Sequence, residues 1–542
     1  MSANPRLFAL GSFALCSLVA GSEETPERWL AEGRAAIERS AELVPIERPA
    51  KNVILVVGDG MGISTVTAGR ILEGQMRGET GEENWLSFER FPYTALSKTY
   101  NVDQQTPDSA GTMTAMITGA KTDAGVLSVD QRVRRGDGPS AGNRELFTFL
   151  EKAEIAGKAT GIVTTARVTH ATPGACYAHT PERNWECDAK VPQGAGVADI
   201  AAQLIEMPSL WAKRGYEQVD GPEVVFGGGR ANFFPQGPID ERYSSEGDSG
   251  QRLDGRNLVQ EWLSSRSNAA YIHDIDTFES LDVASVGHVL GLFENSHMRY
   301  EVDRSTDIGG EPSLAEMASK ALDLLEKDQD GYFLMLEAGR IDHGHHAGNA
   351  YRALHDTVAL SEAVRLLVER TNPEETLIIV TADHSHVFTM AGYPGRGNDI
   401  LGMVADTEGR LSKDLLGLPY TTVGYQNGPG YLGATEEQPE GFKRYPHDPH
   451  EAEHNHGGRP DLRDACSDWD SIDGCDGWAQ RHLQESAYPL NSETHGGEDV
   501  GIWAIGPYAH LLHGTVEQNV IFHLMDYASA WEVDDPFAGN RK

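Results

Sequence analysis

The sequence predicts an α/β fold with a large central, mostly parallel sheet flanked by helices on both faces. Short apolar runs at residues 52–57, 159–164, 224–226, 332–336, 376–381 and 500–505 have the length and continuity of strands buried on both sides. Helical patterns separate many of them, as at 313–327 and 350–369, which is the rhythm of parallel crossovers. Polar residues able to ligate metal follow several runs directly, and open sheets of this kind bind ligands beyond the carboxyl ends of their strands.

Taken in order, residues 1–22 carry Arg6, an apolar run over 7–20 and the small residues Ala20-Gly21-Ser22, the pattern of a cleaved export signal. Export implies a periplasmic or extracellular protein. In the next segment, 23–45, Thr25-Pro26-Glu27 reads as an N-cap, a first-turn proline and a first-turn acid. The helix it opens runs to about Glu42, with Trp29, Leu30, Ala36 and Ile37 free to pack on the chain's own body or on a second subunit. A catalytic α/β body is expected over 46–390 and 491–542, interrupted by a lobe over 391–490 that is rich in Gly, Pro, Asp, Glu and His. The acids Asp468, Asp470, Asp473 and Asp476 in this lobe do not match a calcium-loop spacing and read as a plain acidic loop. Beyond the signal, four cysteines remain, and their close spacing suggests local bridges between Cys176 and Cys187 and between Cys466 and Cys475.

Composition limits the partners. Against 45 Lys and Arg stand 82 Asp and Glu, a formal charge of −37 over 542 residues. Such a surface repels nucleic acid and anionic membranes, and after signal removal no stretch is long and apolar enough for stable membrane insertion. It repels anionic substrates too, so an enzyme acting on them needs concentrated local positive charge. The acidic excess points to salt adaptation.

The chemistry is densest where Glu337-Ala338-Gly339-Arg340-Ile341-Asp342-His343-Gly344-His345-His346 is followed by Asp383-His384-Ser385-His386. Carboxylate and neutral imidazole together suit zinc. If the first stretch is helical, Asp342 and His346 share one face at i, i+4. Asp342, His346, Asp383, His384 and His495 supply enough ligands for two zinc ions, while Asp59, Glu337 and the hydroxyl of Thr172 suit a harder, octahedral magnesium. Asp59 ends a strand between glycines in VGDGMG, and Ser109 in PDSAGT would open a helix whose N-terminus favours phosphate. Separately, a turn or a cap explains each. Together they read as metal-assisted attack of a serine on phosphate.

These segments, with ARVTHATPGACYAHTPERNWECD, VFGGGR, RLDGRNLVQEW, LEAGRIDHGHHAG, VTADHSHVF and ETHGGEDV, resemble those of the alkaline phosphatases, in family order and nearest the animal-type branch. The resemblance implies an alkaline-phosphatase-like sheet with a crown-like inserted lobe, and hydrolysis of small-molecule phosphate monoesters at alkaline pH. It implies that Ser109 is the nucleophile and becomes phosphoserine, and that Arg183 clamps the phosphate. One zinc would then be held by Asp342, His346 and His495, the other by Asp59, Asp383 and His384, and magnesium by Asp59, Thr172 and Glu337. His170 and His343 match positions that distinguish the animal-type branch, and they support the site from behind the ligands, as His386 does. Glu241, the carbonyl of Phe293, Glu294 and Glu311 correspond to a peripheral calcium site. A homodimer is the family expectation. Sulfatase chemistry is disfavoured, because Ser109-Ala110-Gly111-Thr112 lacks the required proline and arginine.

Overall fold

A computed structural model describes residues 24–240, 248–415, 417, 419–431 and 482–541. The chain divides into residues 1–44 and 45–542. In the first unit lies the expected helix, Pro26–Ala41, with the Thr25 side chain accepting from the Arg28 amide at 3.3 Å. None of its residues is buried.

A ten-stranded sheet forms the centre of the second unit. Its order is Gly514–Glu517, Tyr93–Lys98, Val500–Ile505, Thr376–Ala382, Asn52–Gly58, Tyr332–Ala338, Ala159–Arg167, Val224–Gly228, His288–Leu292 and Ala269–Ile272. Every neighbouring pair is parallel except the two made by Val500–Ile505, which runs against both its neighbours. All six apolar runs are therefore strands of one sheet. The four further strands lack a strong signal for physical reasons. Gly514–Glu517 and Ala269–Ile272 are four-residue edge strands with at most one buried residue, Tyr93–Lys98 is buried at only two positions, and His288–Leu292 is interrupted by a glycine.

Alternation along the strands builds the core. In Asn52–Gly58, Val53, Leu55 and Val57 enter one hydrophobic layer while Ile54 and Val56 enter the other, as a period of two requires. Full burial of each such side chain contributes about 1.5–3 kcal/mol relative to exposure. Helices Leu314–Leu325, with a capping box at Ser313, and Ala350–Arg370 cover one face. Helices Phe149–Ile155, Ile200–Lys213 and Val520–Ser529 cover the other.

After Ala382 the chain leaves the sheet, and among the described residues it next joins it at Val500. Within that excursion Ser385–His386 pairs with His495–Gly496, so that His386 stands opposite His495. Phe388–Met390, Val423–Gly428 and Ser486–Pro489 make a small three-stranded sheet. Much of the segment read as a lobe, including its aspartate and histidine tracts and the pair Cys466 and Cys475, lies outside the described residues.

The expected bridge between Cys176 and Cys187 does not form; both thiols are free and buried. The intervening chain is held open by backbone pairing, Thr180 with Leu127 and the Arg183 amide with the Gly125 carbonyl at 2.9 Å. Cys176 instead directs its sulfur at the Thr172 carbonyl, 3.7 Å away.

Candidate active site

The carboxyl edge of the sheet gathers nearly every residue singled out from the sequence. Asp59 follows the central strand directly, Glu337 ends the strand beside it, and Asp383 with His384 follow the strand on its other side. His495 precedes its strand rather than following it. Since Val500–Ile505 runs antiparallel, its amino end lies at the edge where the others have their carboxyl ends, and His495 obeys the same rule as the rest. The segment after Tyr332–Ala338 is helical, Arg340–His346, which puts Asp342 and His346 on one face.

Ser109 opens the helix Ser109–Thr118 and is buried, with its Oγ 3.0 Å from His384 Nε2. Asp108 precedes it and does two things. One oxygen caps the helix, accepting from the Ala110 amide at 3.1 Å and the Gly125 amide at 2.8 Å, and the other makes an ion pair with Arg183. Although burial favours the neutral acid, Arg183 holds the Asp108 carboxyl below its ordinary range. The second fork of Arg183 donates to His170 Nε2 at 2.9 Å.

Among the described residues, three groups of side chains lie close enough to share an ion: Asp342 with His346, His386 and His495; Asp59 with Asp342 and His384; and Asp59 with His170 and Glu337. His346 and His495 place Nε2 at 3.3 and 3.4 Å from Asp342 Oδ1. His384 Nε2 lies 3.4 Å from both Asp59 and Asp383. Asp383 is fixed by the Gly60 amide at 3.0 Å, its neighbour's amide at 2.9 Å and, through its own carbonyl, Gln518 at 2.7 Å.

The donor set suits divalent metal on two observations. The Nδ1 atoms of His346, His384 and His495 each face a backbone carbonyl, those of Glu493, Ser385 and Pro107 at 2.6, 3.3 and 2.7 Å. Donation there fixes the proton on Nδ1 and turns an unprotonated Nε2 inward, the tautomer a metal needs. Both carboxylate oxygens of Asp59 are buried with no hydrogen-bond partner among the described residues. Burial and the charges of Asp383, Asp342 and Glu337 push its carboxyl well above the ordinary range, and burial raises Glu337 to about 7. A cation at this point would remove that penalty. Asp342 behaves oppositely: burial would raise it, but His346, His386 and His495 hold it well below the usual range.

His386 differs from the ligand imidazoles. Its Nε2 meets Asp342 at 2.8 Å and its Nδ1 bonds Glu493, so despite burial these two carboxylates hold the ring up to about 10. With a carboxylate on each ring nitrogen, His386 orients Asp342. His170 accepts from Arg183 through Nε2, which leaves the proton on Nδ1 and gives this ring a supporting place too. His343 packs 5.5 Å from His170. Thr172 is buried on the short helix after His170.

Gly60 explains part of VGDGMG. Its φ is +71°, and an added Cβ would stand 2.4 Å from His386 Nε2. Gly60→Ala is therefore expected to displace His386 or distort the turn, at about 1–3 kcal/mol for the backbone alone, and to lower kcat/KM at least tenfold. Melting and steady-state kinetics check both.

Several residues that build the site carried no assignment from the sequence. The His297 ring packs, tilted, with its centre 4.0 Å from that of His343, and it bonds Arg167. It lies five residues past Leu292, so recognising the strand His288–Leu292 would have brought it under the strand-end rule. Glu493 sits inside ETHGGEDV without any spacing that marks it. His345 points away from the ligands, bonding Thr65 at 2.9 Å and Tyr425 at 2.8 Å. Of the peripheral calcium group, Glu241 lies outside the described residues. Glu294 and Glu311 do come together around Arg299, whose amide donates to Glu311 at 2.8 Å and whose Nε lies 2.8 Å from Glu294. Burial and the Glu294 charge push Glu311 up to about 8.

A parallel sheet carrying carboxylates and imidazoles at its carboxyl edge, around a serine at a helix N-terminus and a clamped arginine, defines a hydrolase with metal-binding groups. The chain belongs to the alkaline phosphatase family, whose model, "Alkaline phosphatase", matches residues 50–531. It is 41% identical to the tissue-nonspecific alkaline phosphatase of Gallus gallus over 96% of this chain and 93% of the relative, and 39% identical to that of Homo sapiens over 96% and 92%. Among solved structures, the alkaline phosphatase of Thermus thermophilus shares the fold with a TM-score of 0.59 at 24% identity, covering 90% of this chain and 93% of that one. Family membership makes this an enzyme that hydrolyses phosphate monoesters. Among the described residues no helix is long and apolar enough to cross a membrane.

Proposed function

We propose that the chain hydrolyses phosphate monoesters at alkaline pH through a phosphoserine on Ser109, with two zinc ions and one magnesium at the sheet edge. The observation that carries this reading is the convergence on Ser109 Oγ: it opens a helix, lies 3.0 Å from His384 Nε2, and follows the aspartate that holds Arg183. Asp342, His346 and His495 would hold one zinc; Asp59, Asp383 and His384 the other; Asp59, Thr172 and Glu337 the magnesium. Bound there, the ions would lower the proton affinity of the serine hydroxyl and neutralise charge developing on the leaving oxygen.

The remaining chemistry is the chain's own. Ser109 Oγ attacks phosphorus in line, and the alcohol leaves from the opposite side. Arg183, pinned by Asp108, offers two N–H groups to the equatorial oxygens, and the dipole of helix Ser109–Thr118 favours the same negative charge. Water then attacks the phosphoserine, releasing inorganic phosphate and restoring the hydroxyl. His386, Glu493, His170 and His343 keep Asp342 and Arg183 in place through both displacements. The test is release of a chromogenic alcohol from a phosphate monoester before and after chelation. Loss on chelation and recovery with zinc plus magnesium are expected; activity untouched by thorough chelation would refute metal dependence.

Export through residues 1–22, a crown-like lobe over 391–490, a homodimer and a peripheral calcium ion at Glu241, Phe293, Glu294 and Glu311 belong to the same reading. So does salt adaptation. With a formal charge of −37, screening that shortens from about 10 Å at 0.1 M to about 3 Å at 1 M should raise both melting temperature and activity. A flat response over that range would contradict it.

A further inference from the structure

Outside the ligand cluster, the described surface holds a cleft of about 290 Å³ lined by Arg299, Tyr300, Asp303, Thr306, Arg340 and Arg352. Three arginines line it, and once Arg299 and Arg352 are paired with acids the positive charge left over is that of Arg340, on a chain of formal charge −37. The guanidinium carbons of Arg340 and Arg352 stand 3.8 and 4.7 Å from the centre of the same ring, that of Tyr300. Asp303 is engaged by Arg352 at 2.8 Å. Of the acids nearby, Glu301 is committed to Arg304 at 3.0 Å, whereas Glu294, 2.8 Å from Arg299, offsets that arginine as Asp303 offsets Arg352. Arg340 forms no ion pair among the described residues, and its buried Nε has no hydrogen-bond partner.

The cleft is tied rigidly to the reacting centre. Arg340 begins the helix Arg340–His346, which carries Asp342 and His346, and its amide is anchored to Thr165 Oγ1 at 3.2 Å. One turn further on, about 4.5 Å along the axis, His343 packs against His170, which touches Arg183. Arg340 acts on His343, His343 lies 5.5 Å from His170, and His170 touches Arg183, so this row of side chains joins the guanidinium forks of the cleft to the place where a phosphate would sit. The planar fork matches phosphate and carboxylate oxygens in pairs, and stacking on Tyr300 pre-orients it.

We propose that this cleft is a subsite for a second anionic group on the substrate, so that the enzyme favours small phosphate monoesters bearing another phosphate several atoms from the scissile one. The inference rests on the phosphomonoesterase reading above and names the substrate class of that site. The two phosphates are joined only through the substrate's own chain, and the reaction at Ser109 is unchanged.

The test compares kcat/KM of the full, metal-loaded enzyme on hexyl phosphate and on 1,6-hexanediol bisphosphate, for wild type and for Arg352→Gln, Arg352→Glu and Arg352→Lys. Wild type is expected to prefer the bisphosphate about tenfold, well beyond the twofold given by its two equivalent ends. Arg352→Gln should cut that preference about fivefold through KM and Arg352→Glu should abolish it, with hexyl phosphate unaffected; Arg352→Lys should retain part. A wild-type preference no greater than twofold overturns the proposal. Equal loss on both substrates in Arg352→Gln overturns it as well, since that is the signature of stacking on Tyr300 alone. No hydrolysis of hexyl phosphate by metal-replete wild type would instead refute the phosphomonoesterase reading.

Discussion

Ser109→Ala is expected to lower kcat by at least 10³-fold, on the scale seen when a covalent nucleophile is removed, while leaving the fold intact. Loss of the hydroxyl removes one described hydrogen bond, to His384, worth about 1 kcal/mol. Alanine suits the first helical position, and Asp108 still caps the helix through the Ala110 amide. Melting should therefore change little while turnover collapses. Activity within tenfold of wild type would mean that Ser109 is not the nucleophile, and that water attacks the substrate directly.

The second large effect is expected at Asp59, which two of the three ligand groups share. Asp59→Asn should reduce activity by about 10²–10³-fold, since it weakens two adjacent metal positions together. Its effect on stability should carry the opposite sign in metal-free protein. The buried Asp59 carboxyl is raised well above its ordinary value by burial and by Asp383, Asp342 and Glu337. A carboxyl raised in the folded state contributes stability below its unfolded value, and that contribution is lost as pH rises through the folded value. At alkaline pH the neutral amide should therefore make the chelated protein melt higher than chelated wild type, whereas metal-loaded wild type should melt higher than metal-loaded variant. Calorimetry of the four samples checks this. Lower melting of the variant in both states would show that Asp59 is structural rather than a metal-binding carboxylate.

Much of this architecture was legible because burial on both faces imposes continuous apolar runs, and six of the ten strands are of that kind. The others were hidden for reasons of position. Tyr93–Lys98 is buried at only two of its six residues. Most site residues were legible through the strand-end rule, which found Asp59, Glu337 and Asp383 without any knowledge of topology. That rule failed for His495 only because strand direction cannot be read from a run of apolar residues, and the antiparallel Val500–Ile505 resolves it. The supporting shell was less visible. Glu493 acts by holding His386 through one oxygen and the Val387 amide at 2.8 Å through the other, contacts set by tertiary geometry alone. Close cysteine spacing misled in the case of Cys176 and Cys187, because spacing says nothing of the backbone pairing at Thr180 that keeps the two apart.

The central claim is that phosphate passes through Ser109. The most direct measurement is to mix metal-replete enzyme with a phosphate monoester carrying labelled phosphorus, quench in acid within the first turnover, and locate the label by peptide mass spectrometry. Label on the peptide bearing Ser109, in an amount approaching one per site at a pH where dephosphorylation is slow, is the expected result. Rapid product release with no label on Ser109 at any quench time would contradict the covalent route and leave direct attack by water in its place.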